Sequence, residues 1–165
     1  MSNIANSMLK EFNSEVPATE KCLERISGET WAFKPHPKSM SMGYLTLLVA
    51  EIPMWIAVMI DEGEIDFATF KHAQPKNNEE LMVHFRENVS RARKALQNAT
   101  DGDMSKIFYL RAGGKELYHA SNAEGIPSTI NHWVHHRGQL TVYMRLCEIS
   151  VPSIYGPSAD DNQFK

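Results

Sequence analysis

From Ser39 to Ile60 the chain reads SMSMGYLTLLVAEIPMWIAVMI, with Glu51 as its only charged residue. A segment apolar nearly all round has to be surrounded, by lipid or by other helices. Glu51 and Pro53 near its middle, and the lack of about 18 uninterrupted aliphatic residues, favour the central helix of a bundle over a membrane span. Ser41 is a natural N-cap, and the helix should run to about Ile60. Glu51 then needs explaining. A lone carboxylate in such a helix is costly to desolvate unless it meets a cation or several donors. A metal ion, His132, His136 or an arginine could be that partner; a helix exposing one face there would instead leave Glu51 in water beside Met54 and Val58.

The flanking segments supply the rest of a bundle. Asn3 to Ile26 repeats Ile4, Met8, Leu9, Phe12, Val16, Leu23 and Ile26 at three- and four-residue steps, which predicts a first helix. Pro17 should kink or split it. Pro35 and Pro37 make Trp31 to Lys38 a loop. Asp61 to Asp66 reads as an acidic loop, and a third helix is expected from about Asn78 to Ala99, burying Leu81, Met82, Phe85, Val89, Ala92 and Leu96. Ile107–Leu110 and Glu116–Tyr118 flank Gly113-Gly114, as in a short ribbon or an ordered loop. Pro127 fits the first turn of a last helix reaching about Ile149. Pro152 and Pro157 keep the tail from Ser150 to Lys165 non-helical. The expected fold is all-α: a single-domain four-helix bundle over residues 1–165, with a long connection, carrying a short β-ribbon, between the third and fourth helices.

Formal charge narrows the partners. At −3 over 165 residues there is no basic excess of the kind that tracks nucleic acid. Cys22 and Cys147 are too few for a disulfide framework, and no basic-then-apolar leader opens the sequence, so a reducing cytoplasm is expected.

Chemistry is concentrated in Asn131-His132-Trp133-Val134-His135-His136-Arg137-Gly138-Gln139-Leu140. His132 and His136 lie one turn apart, the spacing by which a single helix offers two imidazoles to one metal ion. Trp-Val-His between them lacks the glutamate of the H-E-x-x-H zinc helices, so that motif's general base is absent. On an ideal helix His132, His136, Leu140, Tyr143 and Cys147 share a face about 80° wide, with Arg137, Thr141, Arg145 and Glu148 on the other side. The pair is therefore expected to point toward the core. Core or rim histidines satisfied by hydrogen bonds are the alternative. Cys147 lies roughly 16 Å along the helix from His136, too far to share a metal. Trp55, Met59 and Trp133 read as packing, and His36, His72, His84 and His119 stay unassigned.

Three segments together resemble the DinB/YfiT-like superfamily of bacterial four-helix-bundle proteins: Trp31 to Met40, Ala50-Glu51-Ile52-Pro53-Met54-Trp55, and His132-x-x-His135-His136-Arg137-Gly138-Gln139-Leu140. The tail Val151 to Asp160 resembles one subgroup. The resemblance implies a divalent metal held by three histidines, one from the second helix and two from the H-x-x-x-H of the last. It also implies a homodimer and, in some branches, transfer of a low-molecular-weight thiol to an electrophile. His132 and His136 match the last-helix ligands. Leu48 stands where the second-helix histidine is expected, and leucine coordinates nothing. Glu51, one turn on and about 60° around the helix, is the candidate replacement.

Two functions are thereby expected to compete. One is a metal-dependent enzyme in which His132, His136 and Glu51 hold zinc or nickel, or else iron or manganese, and a thiol or water attacks a small electrophile, by thiol transfer or hydrolysis. The other is a degenerate, non-catalytic bundle that binds a small molecule or a protein partner. Neither calls for nucleic acid or membrane.

Overall fold

The computed structural model describes residues 2–162, so the last three residues of the expected tail lie outside the described residues. Four long helices form the body: α1 (Asn3–Glu24), α2 (Met42–Asp61), α3 (Asn78–Asn98) and α5 (Asn122–Leu146). Between α3 and α5 come the one-turn helix α4 (Asp101–Ser105) and strands β2 (Ile107–Ala112) and β3 (Lys115–Ser121); β1 (Glu64–Asp66) joins them from the α2–α3 connection. The four-helix bundle with a ribbon ahead of its last helix is the architecture the sequence predicts.

Capping explains where the helices begin. Ser41 accepts from the Tyr44 amide and Asn77 from the Glu80 amide, each replacing a hydrogen bond the first turn cannot make itself. α2 is the only helix among the described residues long and apolar enough to cross a membrane, and most of it is buried in the bundle. It runs antiparallel to α5: Met59 meets Thr129, whereas Val49 accepts a hydrogen bond from the Trp133 indole. Trp133 is buried to 1%, stacks on Phe12 at 5.3 Å and tilts against Phe85 at 6.4 Å, tying α1, α3 and α5 to one core.

Four local expectations are corrected. Pro17 lies inside α1 without splitting it; Phe12, Val16, Thr19 and Leu23 are buried around it, and this packing outweighs one missing helical hydrogen bond. Glu64–Asp66 is a strand rather than part of a loop, because Ile65 is buried and pairs in parallel with Leu110. Asp66 then binds the amides of Gly113 and Gly114, the hairpin turn between β2 and β3. Both glycines have positive φ, the requirement of a two-residue turn of this hand. α5 begins at Asn122, not at Pro127, since Ser121 and Glu124 form a reciprocal cap that starts the helix earlier. It also ends at Leu146, short of Ile149, where Glu148 turns into the left-handed region with φ 57°.

Candidate metal centre

α5 buries Ile126, Ile130, Trp133, Arg137, Leu140, Tyr143 and Met144, a stripe that keeps Leu140 and Tyr143 of the face expected to be inward but is rotated away from its two histidines. His132 and His136 therefore sit half-buried on its rim rather than in the core, and His135 is exposed. Arg137, expected outside, is 1% exposed: its guanidinium pairs with the Glu15 carboxylate at 2.7 Å and donates to the Glu15 carbonyl, Thr19 Oγ1 and Tyr155 Oη. Burial of a guanidinium is tolerable here because most of its donors are matched.

The two rim histidines converge. His132 Nε2 and His136 Nε2 are 2.7 Å apart. His136 Nδ1 stands 2.8 Å from Gln139 Oε1, so that nitrogen carries the proton it donates and Nε2 is left with its lone pair. At 2.7 Å the pair is at N–H···N hydrogen-bond distance, so His132 Nε2 carries a proton directed at His136 Nε2; two ligands of a tetrahedral ion at about 2.1 Å would stand about 3.4 Å apart, and the rings would have to part to take one up. Burial pushes the pKa of both rings down, reinforced for His132 by His136 and His135, and for His136 opposed by Gln139 and reinforced by His135. Both are thus biased toward the neutral form, the one that binds metal. Gln139 was not singled out from sequence, although its three-residue spacing from His136 on a helix places it within reach.

Glu51 is buried, only 1% exposed, but is not joined to this pair. One of its oxygens accepts from His72 Nδ1 at 2.6 Å; the other accepts from the Ala73 amide at 2.7 Å and lies 3.6 Å from His84 Nε2. His84 Nε2 in turn meets Asn88 Nδ2 at 3.1 Å, and Asn88 also donates to the Ala50 carbonyl. Burial raises the Glu51 pKa, yet the nearby His84 ring and the hydrogen bonds from His72 and Ala73 outweigh it, and the net shift is downward. The sequence left His72 and His84 unassigned because neither has a helical partner at a telling spacing; the loop after β1 brings His72 in. Leu48, at the position of the expected second-helix histidine, is buried at 7%. Among the described residues no group of three or more His, Cys, Asp or Glu side chains is arranged to hold a metal ion.

This clasp should be measurable. Glu51→Gln removes the charge while nearly keeping the shape, and should lower unfolding free energy at pH 7 by about 1–3 kcal/mol in urea denaturation. Because the folded-state pKa is depressed, the wild-type advantage exists above the ordinary value of 4.5 and is lost as pH falls from there through the folded-state value. A wild-type advantage undiminished at pH 3 would contradict this account.

Aromatic rings link the two histidine groups. Phe70 packs on His72 at 5.0 Å and on Trp55 at 6.5 Å, and Trp55 lies 5.5 Å from the His132 ring. Beside His132 opens a cavity of about 280 Å³ between Trp55 and Met59 of α2, Ser128 and Thr129 of α5, and the sheet. A larger cleft of about 410 Å³, among Asp61, Arg91, Lys94 and Asp103, includes none of the histidines.

Relatives share this architecture. The uncharacterised protein YjoA of Bacillus subtilis is 24% identical over 147 residues, covering 86% of this chain and 89% of that one. A 32-residue stretch is 53% identical to the uncharacterised Bacillus subtilis protein YrdA, 19% of each chain. The crystal structure of YjoA, a DinB-like protein, superposes with a TM-score of 0.67 at 22% identity, over 87% of this chain and 93% of that chain. A DinB-like protein from Bacillus cereus gives 0.69 at 22% identity, over 91% and 97%. A DinB-family structure from Exiguobacterium sibiricum gives 0.68 at 18% identity, over 90% and 94%. At these identities the likeness establishes the fold. The sequence profile of the DinB family matches residues 1–163, and the chain belongs to that family.

Proposed function

We propose that the protein is a metal-dependent enzyme in which His132 and His136 hold a divalent ion and a low-molecular-weight thiol, or water, attacks a small electrophile. The observation that carries this reading is the convergence of the two Nε2 atoms on one point of the rim, with the far nitrogen of His136 engaged by Gln139; to share an ion the rings would part from their 2.7 Å hydrogen bond by about 0.7 Å. Metal-binding histidines characteristically donate their second ring N–H in this way, which fixes tautomer and ring orientation. When bound, the ion would acidify a coordinated thiol or water near neutral pH. Zinc and nickel suit imidazole best, with iron and manganese as the alternatives.

The chain's own groups divide the remaining work. His132 and His136 hold the cation as neutral donors, Gln139 orients His136, and Trp55 packs against the His132 ring. Glu51, the third ligand expected from sequence, would have to release His72 and Ala73 to reach the pair. We therefore assign it to the loop clasp and leave the remaining coordination positions to solvent or thiol. In thiol transfer the S–H proton passes to solvent, sulfur bonds to the electrophilic carbon, and the leaving group departs with its bonding electron pair.

The test is consumption of a small thiol with an activated aryl halide, followed by loss of free thiol on protein loaded with zinc or nickel. The expected result is a metal-dependent rate that His136→Ala lowers at least about a hundredfold, the scale on which metal-site changes act. An unchanged rate in that variant would overturn the reading. A second reading, a non-catalytic binding module, is favoured by Leu48 at the position of the expected third histidine; its signature is ligand binding and stability unaffected by chelator.

A further inference from the structure

The cavity beside His132 is lined mainly by apolar and aromatic side chains. Trp55 and Met59 form one wall, Ile65, Phe108 and Leu110 another, and no Asp, Glu, Lys or Arg lines it. The polar side-chain groups of its lining residues are few: the hydroxyls of Ser128, Thr129 and Tyr118, the imidazole of His132, and the Trp55 indole N–H, which is buried with no hydrogen-bond partner. Thr129 Oγ1 already donates to the Gly125 carbonyl, so the groups open to a ligand gather at the rim and at the His132 end. A charged ligand would be desolvated there with no counter-ion to compensate it. Size restricts the occupant further: an apolar cavity of about 150 Å³ takes a benzene ring, and at about 280 Å³ this one has room for a two-ring compound of about a dozen heavy atoms.

We propose that this cavity binds the electrophile, and that the electrophile is an uncharged, largely apolar compound of aromatic or branched-aliphatic character, held with its polar or reactive end toward His132. The inference rests on the His132–His136 edge as the reactive end, but the selectivity comes from the walls alone. The ribbon provides it: β1 and β2 place Ile65, Phe108 and Leu110 opposite α2, with Phe67 and Tyr118 half-exposed at the entrance. The inserted sheet completes the uncharged enclosure that Trp55 and Met59 of α2 begin.

Two isosteric probes separate shape from charge: 2-acetylnaphthalene, which is neutral, and 2-naphthoate, an anion of the same heavy-atom count. They are titrated into full-length, chelator-treated protein carrying methyl-labelled methionine, with the Met59 resonance assigned through Met59→Leu. The ketone should shift the Met59 signal saturably, and the carboxylate should bind at least roughly tenfold more weakly. Ser128→Trp, at an exposed position on the rim, should weaken the ketone by a similar factor while leaving the fold intact. Equal affinity for both probes, no saturable shift, or full affinity in Ser128→Trp would overturn the assignment. Metal content of the same preparation, measured before chelation and again after incubation with zinc or nickel, separates the two claims. Protein that retains metal but does not bind the ketone removes the cavity assignment alone. Protein that binds the ketone but never takes up metal keeps the cavity and removes the metal reading.

Discussion

Arg137→Met should destabilise the protein by about 3–5 kcal/mol, the usual consequence of removing one partner from a buried ion pair. The methionine fills much of the volume, so the loss reports chemistry more than cavity formation. Four acceptors are affected: the Glu15 carboxylate and carbonyl, Thr19 Oγ1 and Tyr155 Oη. Tyr155 also donates to Glu15, so the arginine ties α1, α5 and the tail into one network. Glu15 itself is only 12% exposed and would keep the Tyr155 hydroxyl but lose its counter-charge. Arg137→Lys should recover part of the loss, since it restores charge without the planar fork. Urea denaturation of the two variants, with Glu15→Gln and the double variant Glu15→Gln/Arg137→Met closing a cycle, gives the coupling directly. A loss below about 1 kcal/mol would place this pair among solvent-screened surface bridges instead.

Arg137 also shows where the sequence stops being readable. The ends of α2 and α3 and the Gly113-Gly114 hairpin follow from local chemistry: Ser41, Asn77 and the two glycines act on their immediate neighbours. The rotation of α5 does not. Its residues permit two plausible inner faces, one through His132 and His136 and one through Trp133 and Arg137. The choice depends on Glu15, 122 positions away in the chain, and on the Phe12 ring that stacks on Trp133. A helical wheel ranks an arginine as outward because it cannot see its partner. The same holds for Glu51. Its burial was legible as a problem, since nothing else in Ser39–Ile60 is charged, but the answer lay in His72, on a loop with no periodicity to read. Strand β1 was hidden in an acidic stretch for a similar reason: Ile65 contributes the burial, and two of the three amides that Asp66 accepts from belong to the distant glycine turn, the third being Ala68.

The rim position of the histidine pair differs from the inward one the sequence predicts. A pair sealed in the core would be out of reach of an incoming thiol; this pair is half-buried, and His132 lines the apolar cavity. Replacing either ring removes half of the proposed protein ligand set, so each substitution should lower divalent-metal affinity by at least roughly a hundredfold, more than the loss of an outer partner such as Gln139. Glu51→Gln should leave metal content close to that of the wild type and reveal itself in stability instead. That contrast distinguishes a site centred on His132 and His136 from one that recruits Glu51.

The most direct test of the central claim is metal content by plasma mass spectrometry on protein purified without a histidine tag, comparing wild type with His132→Ala, His136→Ala and Glu51→Gln. The account predicts close to one divalent ion per wild-type chain, retained in Glu51→Gln and lost in both histidine variants. Wild-type protein that takes up no zinc, nickel, iron or manganese on incubation, or histidine variants that keep the full complement, would contradict it.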